Sequence, residues 1–109
     1  MVKIMVAEAT GKVLDFLVFQ AEGHSWWRPE EFFEPTVEWS QGGPIIERER
    51  ITLRVSTMLG IDWVAFYDRP GEYHAHIRAK GPTSLIAAMR CYVVSKLGPE
   101  VEVPESLLP

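Results

Sequence analysis

Apolar positions recur with two different periods along this chain, and the change of period divides it into elements. Val13, Leu14, Leu17, Val18 and Ala21 fall at helical spacing and make one apolar stripe. Phe16 and Phe19 widen that stripe, which predicts a helix covered on more than one side. Thr10 stands where a helix N-cap is expected, with a hydroxyl able to accept from a free backbone N–H of the first turn. Gly23 supplies the left-handed conformation that closes such a helix. Ahead of it, Lys3–Val6 reads as a short extended segment.

The next stretch, His24–Gln41, shows neither period. It carries Trp26, Trp27, Phe32, Phe33 and Trp39, broken by Pro29 and Pro35. Gly42-Gly43-Pro44 follows. Proline suits the first helical position because the missing N–H is unpaired there, so Pro44–Glu49 is expected to make one or two helical turns.

From Ile51 the period becomes two. Ile51, Leu53, Val55 and Thr57 alternate with Thr52, Arg54 and Ser56. Trp63–Tyr67 is aromatic and apolar on both faces, which suits the centre of a sheet. Asp68-Arg69-Pro70-Gly71-Glu72 has the proline and glycine of a tight turn. Tyr73, Ala75, Ile77 and Ala79 then alternate with His74, His76 and Arg78. Helical spacing returns with Leu85, Ile86, Met89, Val93 and Leu97, in a helix that starts near Thr83 and ends at Gly98, ahead of Pro99.

The expected fold is therefore α+β and two-layered: a three-stranded antiparallel sheet with two main helices on one face, in the order α-β-β-β-α, and an irregular aromatic insertion after the first helix. Residues 1–98 are expected to form one domain. Residues 99–109 read as an acidic, proline-containing tail that either lies along the domain or frays.

Composition narrows the class. The chain has 109 residues, 47% of them hydrophobic, enough for one domain with a real core. No apolar run approaches the roughly 18 residues of a membrane span. The first residues lack the pattern of a secretory signal. Cys91 is the single cysteine, so no disulfide forms within the chain, which suits a reducing cytosol. A net charge of −4 disfavours nucleic acid as a partner, because long-range attraction to phosphate is missing.

Three blocks carry a family resemblance. Glu8-x-Thr10-Gly11-x-x-Leu14-Asp15 leads to Ala21-Glu22-Gly23. Trp39-x-x-Gly42-Gly43-Pro44-Ile45-Ile46-Glu47-Arg48-Glu49 lies mid-chain. Gly81-Pro82-Thr83-x-Leu85-Ile86-Ala87-Ala88-Met89-Arg90 precedes Ser95-Lys96-x-Gly98. Together they resemble the NinX-like proteins of tailed phages and prophages, a family of unknown function. The resemblance implies a small phage accessory protein acting in the cytoplasm of a bacterial host. It carries over no catalytic residues. His24–Glu34 looks like a local expansion against that pattern.

Candidate chemistry is sparse. His74 and His76 sit two apart on one predicted strand, a metal-ligand spacing, but a zinc site needs a third and usually a fourth ligand, and none is near in sequence. No metal and no cofactor are expected. Arg54, His74, His76 and Arg78 are expected to share the sheet face away from the helices, with Lys80 at its rim. Either Trp63, Ala65 and Tyr67 or Val64 and Phe66 join them. A basic and aromatic sheet face is the kind that single-stranded RNA readers use, and a plain solvated face is the alternative. The α-β-β-β-α order is also that of double-stranded-RNA-binding domains. Those need lysines at the start of the last helix, where this chain has Gly81-Pro82-Thr83-Ser84-Leu85. Glu47–Arg50 reads as a run of solvated ion pairs. Cys91 reads as a buried, inert thiol.

The aromatic segment, with Trp26, Trp27, Arg28, Phe32 and Phe33, has the residue types that anchor interfaces. It is the leading candidate for a partner surface, and a lid packed on the chain's own sheet is the competing role. Glycine-rich nucleotide loops, nucleophile elbows and Cys-x-x-Cys pairs are absent from the sequence. The expected function is thus non-enzymatic binding to a host or phage protein. A nucleic-acid-binding sheet face is the second reading. An enzyme or ligand carrier with a cleft lined by Trp39, Trp63, Tyr67 and His76 is the third. Trp27→Ala separates lid from interface: packing on the chain's own sheet predicts a lower melting temperature, and an exposed anchor predicts unchanged melting with loss of the partner in a pull-down.

Overall fold

The computed structural model describes residues 1–24, 33–56, 62–68 and 76–108. The described chain is α+β, with three helices, a three-stranded antiparallel sheet and a second sheet of two strands. Strand β1 (Val2–Met5) runs into a single 3-10 turn (Val6–Glu8) and then helix α1 (Gly11–Ala21). Helix α2 (Trp39–Glu49) precedes strands β2 (Thr52–Ser56), β3 (Asp62–Asp68) and β4 (His76–Gly81). Helix α3 (Ser84–Leu97), strand β5 (Glu100–Val103) and a 3-10 turn (Glu105–Leu107) complete the chain.

Helix α3 is the hub. It packs on β3 and β4 and also meets α1, α2, β2, β5 and the turn after β1. Leu85, Ala87, Ala88, Met89, Arg90, Cys91, Tyr92 and Val93 are all buried along it. The helix has almost no polar face because it has almost no solvent side. Its ends behave as the sequence predicts. Thr83 caps the start, its Oγ1 accepting from Ile86 N at 3.1 Å, and Gly98 closes the end with φ 89°.

The sheet order is β2-β3-β4, with β3 central. Phe66 pairs with Thr52 on one side and Arg78 on the other; Val64 pairs with Arg54 and Lys80. Trp63, Ala65 and Tyr67 face the core, together with Leu53, Ile77 and Ala79. Alternation then sends Arg54, Val64, Phe66, Arg78 and Lys80 to the outer face.

Three local expectations change, and the segment after Gly98 takes one of its two expected courses. The two main helices become three, because α2 begins at Trp39 rather than at Pro44. Pro44 stands inside the helix, and the Glu38 carbonyl starts it by accepting from Gln41 N and Gly42 N. Gly42 makes this possible: a Cβ there would sit 2.5 Å from the Pro35 carbonyl oxygen and 2.7 Å from Leu85 Cδ2. Thr10 is the N-cap of α1 by position, yet its side chain makes no capping hydrogen bond. The last strand runs to Gly81, later than its apolar alternation suggests. Finally, the segment after Gly98 contributes β5, which pairs antiparallel with β1 from Val2↔Val103 to Met5↔Glu100. Val103 is fully buried in the core beside Val6 and Leu14.

At Gly81 the sheet and the backbone of α3 approach closely. A Cβ there would lie 2.6 Å from Ala87 N and 3.1 Å from Ala87 Cα, both backbone atoms. Gly81→Ala must therefore move the helix off the strand, and a loss of about 1–3 kcal/mol is expected in urea denaturation. Gly43→Ala is the control. Its Cβ meets only Trp39 Cε3 at 3.7 Å, and stability should hold or rise because alanine favours helix.

Candidate functional site

The residues singled out by sequence fall into three groups. Trp26, Trp27, Arg28, Phe32 and His74 lie outside the described residues. Phe33 is half-buried, with its ring edge-on to Phe19 at 5.6 Å between centroids. Arg54 and Arg78 do come together on the outer sheet face, where β3 contributes Val64 and Phe66. The backbone of His76 opposes Asp68 at the end of the same face.

Phe66 is the centre of that face. The Arg54 guanidinium lies 5.0 Å from its ring centroid and that of Arg78 lies 5.8 Å away. Among the described residues no carboxylate comes within 4.0 Å of either guanidinium. Two cations sharing one ring are held near each other by the aromatic quadrupole, with hydrogen-bond donors left for an incoming acceptor. Val64 is buried between the flanking Arg54 and Lys80 positions. Asp62 and Asp68, both exposed, stand at the two ends of the strand on the same side.

A second charged group ties the three helices. Arg48 donates through both terminal nitrogens to Glu22, at 3.2 and 2.7 Å, and through Nε to Glu49 at 2.9 Å. Lys96 approaches Glu49 at 3.5 Å. Tyr92, almost fully buried, donates to Glu22 Oε2 at 2.6 Å. Burial pushes the Glu22 carboxyl up, but hydrogen bonds from Arg48 and Tyr92 outweigh it and hold the group below its usual range. Burial and then the hydrogen bond to Glu22 push the Tyr92 phenol well above its usual range. Part of the Glu47–Arg50 run thus has a specific task, which is to join the ends of α1, α2 and α3.

Asp15 is a third polar group, buried among the apolar residues of helix α1. It is 5% exposed and accepts from Thr36 N at 3.1 Å and Thr36 Oγ1 at 2.8 Å. This pins the segment before α2 to α1. Burial raises the Asp15 carboxyl above its usual value, against the two Thr36 hydrogen bonds.

Arg90 is the fourth, and sequence reasoning missed it. It is 8% exposed within α3. Its Nε donates to the Ala9 carbonyl at 2.9 Å and its Nη1 to the Lys80 carbonyl at 2.8 Å. Burial lowers its pKa from the ordinary guanidinium value. The one available signal was a charged residue in a helix that is apolar all round.

Cys91 is buried, with its Sγ 3.6 Å from the Ile77 carbonyl, and burial pushes the thiol up to about 12. It is chemically quiet at neutral pH. No group of three or more His, Cys, Asp or Glu suited to a metal ion occurs among the described residues. Trp39 is exposed and lines a shallow cleft of about 240 Å³ with Val37 and Leu85, whereas Trp63 and Tyr67 pack on the core. No described helix is long and apolar enough to cross a membrane.

These features define a small α+β domain organised on one central helix, with a cationic and aromatic outer sheet face. Residues 5–96 match the family model for NinX of bacteriophage P22, and the chain belongs to that phage family. No curated protein matches it.

Asp15 gives a direct test of the polar anchoring. Asp15→Ala leaves the buried Thr36 N–H without its acceptor and should cost about 1–3 kcal/mol. Asp15→Asn keeps an accepting oxygen and sheds the charge, so it should match or exceed wild type at neutral pH. Because the folded pKa is raised, the stability that Asp15 contributes is full below the unfolded value near 3.8 and declines as pH rises through the folded value. Melting curves of wild type and Asp15→Asn across pH 3–8 should diverge in that direction (roughly the acid-to-neutral range,).

Proposed function

We propose that this phage-family protein acts without catalysis, by binding a host or phage protein in the bacterial cytoplasm through the outer face of its sheet. The observation that carries this reading is the pair of guanidiniums, Arg54 and Arg78, gathered on Phe66 with no carboxylate of the described chain within 4.0 Å. Arginine and aromatic residues are the usual anchors of protein interfaces, and the open donors suit carboxylates on a partner. The expected contact is an acidic patch whose carboxylates meet the two guanidiniums. The aromatic segment Trp26, Trp27, Arg28, Phe32 and Phe33 is a second candidate contact on the same grounds of residue type.

Nucleic acid is the weaker reading. A base needs an open aromatic plane, and here both guanidiniums already lie over the Phe66 ring. Asp62 and Asp68 also place carboxylates at both ends of the strand, which repel a phosphate backbone.

The test compares wild type with an Arg54→Ser/Arg78→Ser double variant as baits in lysate from an infected host. Both side chains are exposed, so the variant should keep its helical circular dichroism and melt within a few degrees of wild type. A specific protein should be retained by wild type and at least tenfold less by the variant. Equal retention by both baits removes the sheet face from the interface. A low-salt electrophoretic shift with single-stranded RNA that fades steeply as salt rises replaces the protein partner with nucleic acid.

A further inference from the structure

A cleft of about 480 Å³ opens beside the β4 edge, between that strand, helix α3 and the N-terminal segment. Arg78, Lys80 and Arg90 line it, with Met5, Val94 and Pro99 among its apolar walls. Among the described residues no acidic one lines it, in a chain whose net charge is −4. Its volume lies within the roughly 300–1,000 Å³ typical of small-molecule sites.

Arg90 is the unusual member. A guanidinium carries five N–H donors, and two hydrogen bonds are made, to the carbonyls of Ala9 and Lys80. The Nη2 nitrogen has no acceptor among the described residues, and no described carboxylate lies within 4.0 Å of the group. Backbone carbonyls orient the guanidinium but do not neutralise it. Burying an ion without a counter-charge is unfavourable, and an anion entering the cleft offsets that cost. Lys80 and Arg78 add positive charge at the rim, where both are exposed. The walls offer Met5 and Val94 to an apolar body.

We propose that this cleft binds a small organic carboxylate, its head group paired with Arg90 and Lys80 and its apolar part lying against Met5 and Val94. The planar fork of arginine matches a carboxylate, and the mixed lining favours a ligand with one charged end over a fully hydrated ion. This site is separate from the Phe66 face, although Arg78 borders both.

Calorimetric titration of the full chain with sodium octanoate tests it, with octanamide as the neutral counterpart and inorganic phosphate as the fully polar anion. Octanoate is expected to bind saturably with a Kd of about 1 mM or tighter. Octanamide and phosphate are each expected to bind at least tenfold more weakly. Lys80→Ser, an exposed change that leaves the core intact, should weaken octanoate at least threefold. Val94→Trp fills the cleft and should abolish binding, with circular dichroism confirming the fold. Arg90→Lys keeps the charge and loses the fork, and should weaken binding at least tenfold if it folds. The proposal is overturned if octanoate fails to saturate, if octanamide or phosphate binds as well as octanoate, or if Lys80→Ser leaves affinity unchanged.

Discussion

The structure depends on one close approach: the backbone of α3 lies directly against the end of β4, at a position where only glycine leaves room. Gly81 lets Ala87 come within van der Waals contact, and Ala87 and Ala88 keep the helix surface low there. Once α3 is seated, it has almost no solvent side left. The sheet covers one flank, and α1 and α2 cover others. Nearly every residue from Leu85 to Val93 is consequently buried, whatever its chemistry. That is why a tyrosine hydroxyl, a thiol and a guanidinium all find themselves in the interior, each against a nearby acceptor.

The polar groups that result are joints between elements. Tyr92 and Glu22 draw Arg48 across three helix ends, and Asp15 holds the segment around Thr36 down on α1. The first uses hydrogen bonds between charged groups, which are stronger than neutral ones, and both joints lose most when one partner is removed. The outer sheet face is organised differently. Its guanidiniums meet an aromatic ring and no described carboxylate, so their donors stay available.

Periodicity made α1, α3 and the strands through Thr52–Ser56 and Asp62–Asp68 legible, and Thr83 and Gly98 marked the ends of α3. The start of α2 was hidden because Pro44 reads locally as a first-turn residue. Tertiary packing of Gly42 on Pro35 and Leu85 overrides that local preference. The pairing of β1 with β5 left no local trace, since two short segments at opposite ends of a chain carry no signal of each other. At the candidate site, the shared face of Arg54 and Arg78 followed from alternation. The partner residues on β3 did not, because Val64 and Ala65 point to opposite faces and both are buried. Arg90 was illegible for a different reason. A cation in mid-helix looks like a surface residue, as Lys96 in the last turn of the same helix is, until the middle of the helix is known to be buried.

The ladder from Val2↔Val103 to Met5↔Glu100 works as a clasp. It joins segments far apart in sequence, so closing it carries a large loop-closure cost. Among the described residues each of its strands has one strand neighbour, the other. The clasp nevertheless carries Val103 into the core beside Val6, and Pro99 receives the Val6 N–H. Strands distant in sequence are thereby buckled to one another and, through β5 and the turn after β1, to the central helix, so a change that loosens either strand is expected to loosen its mate.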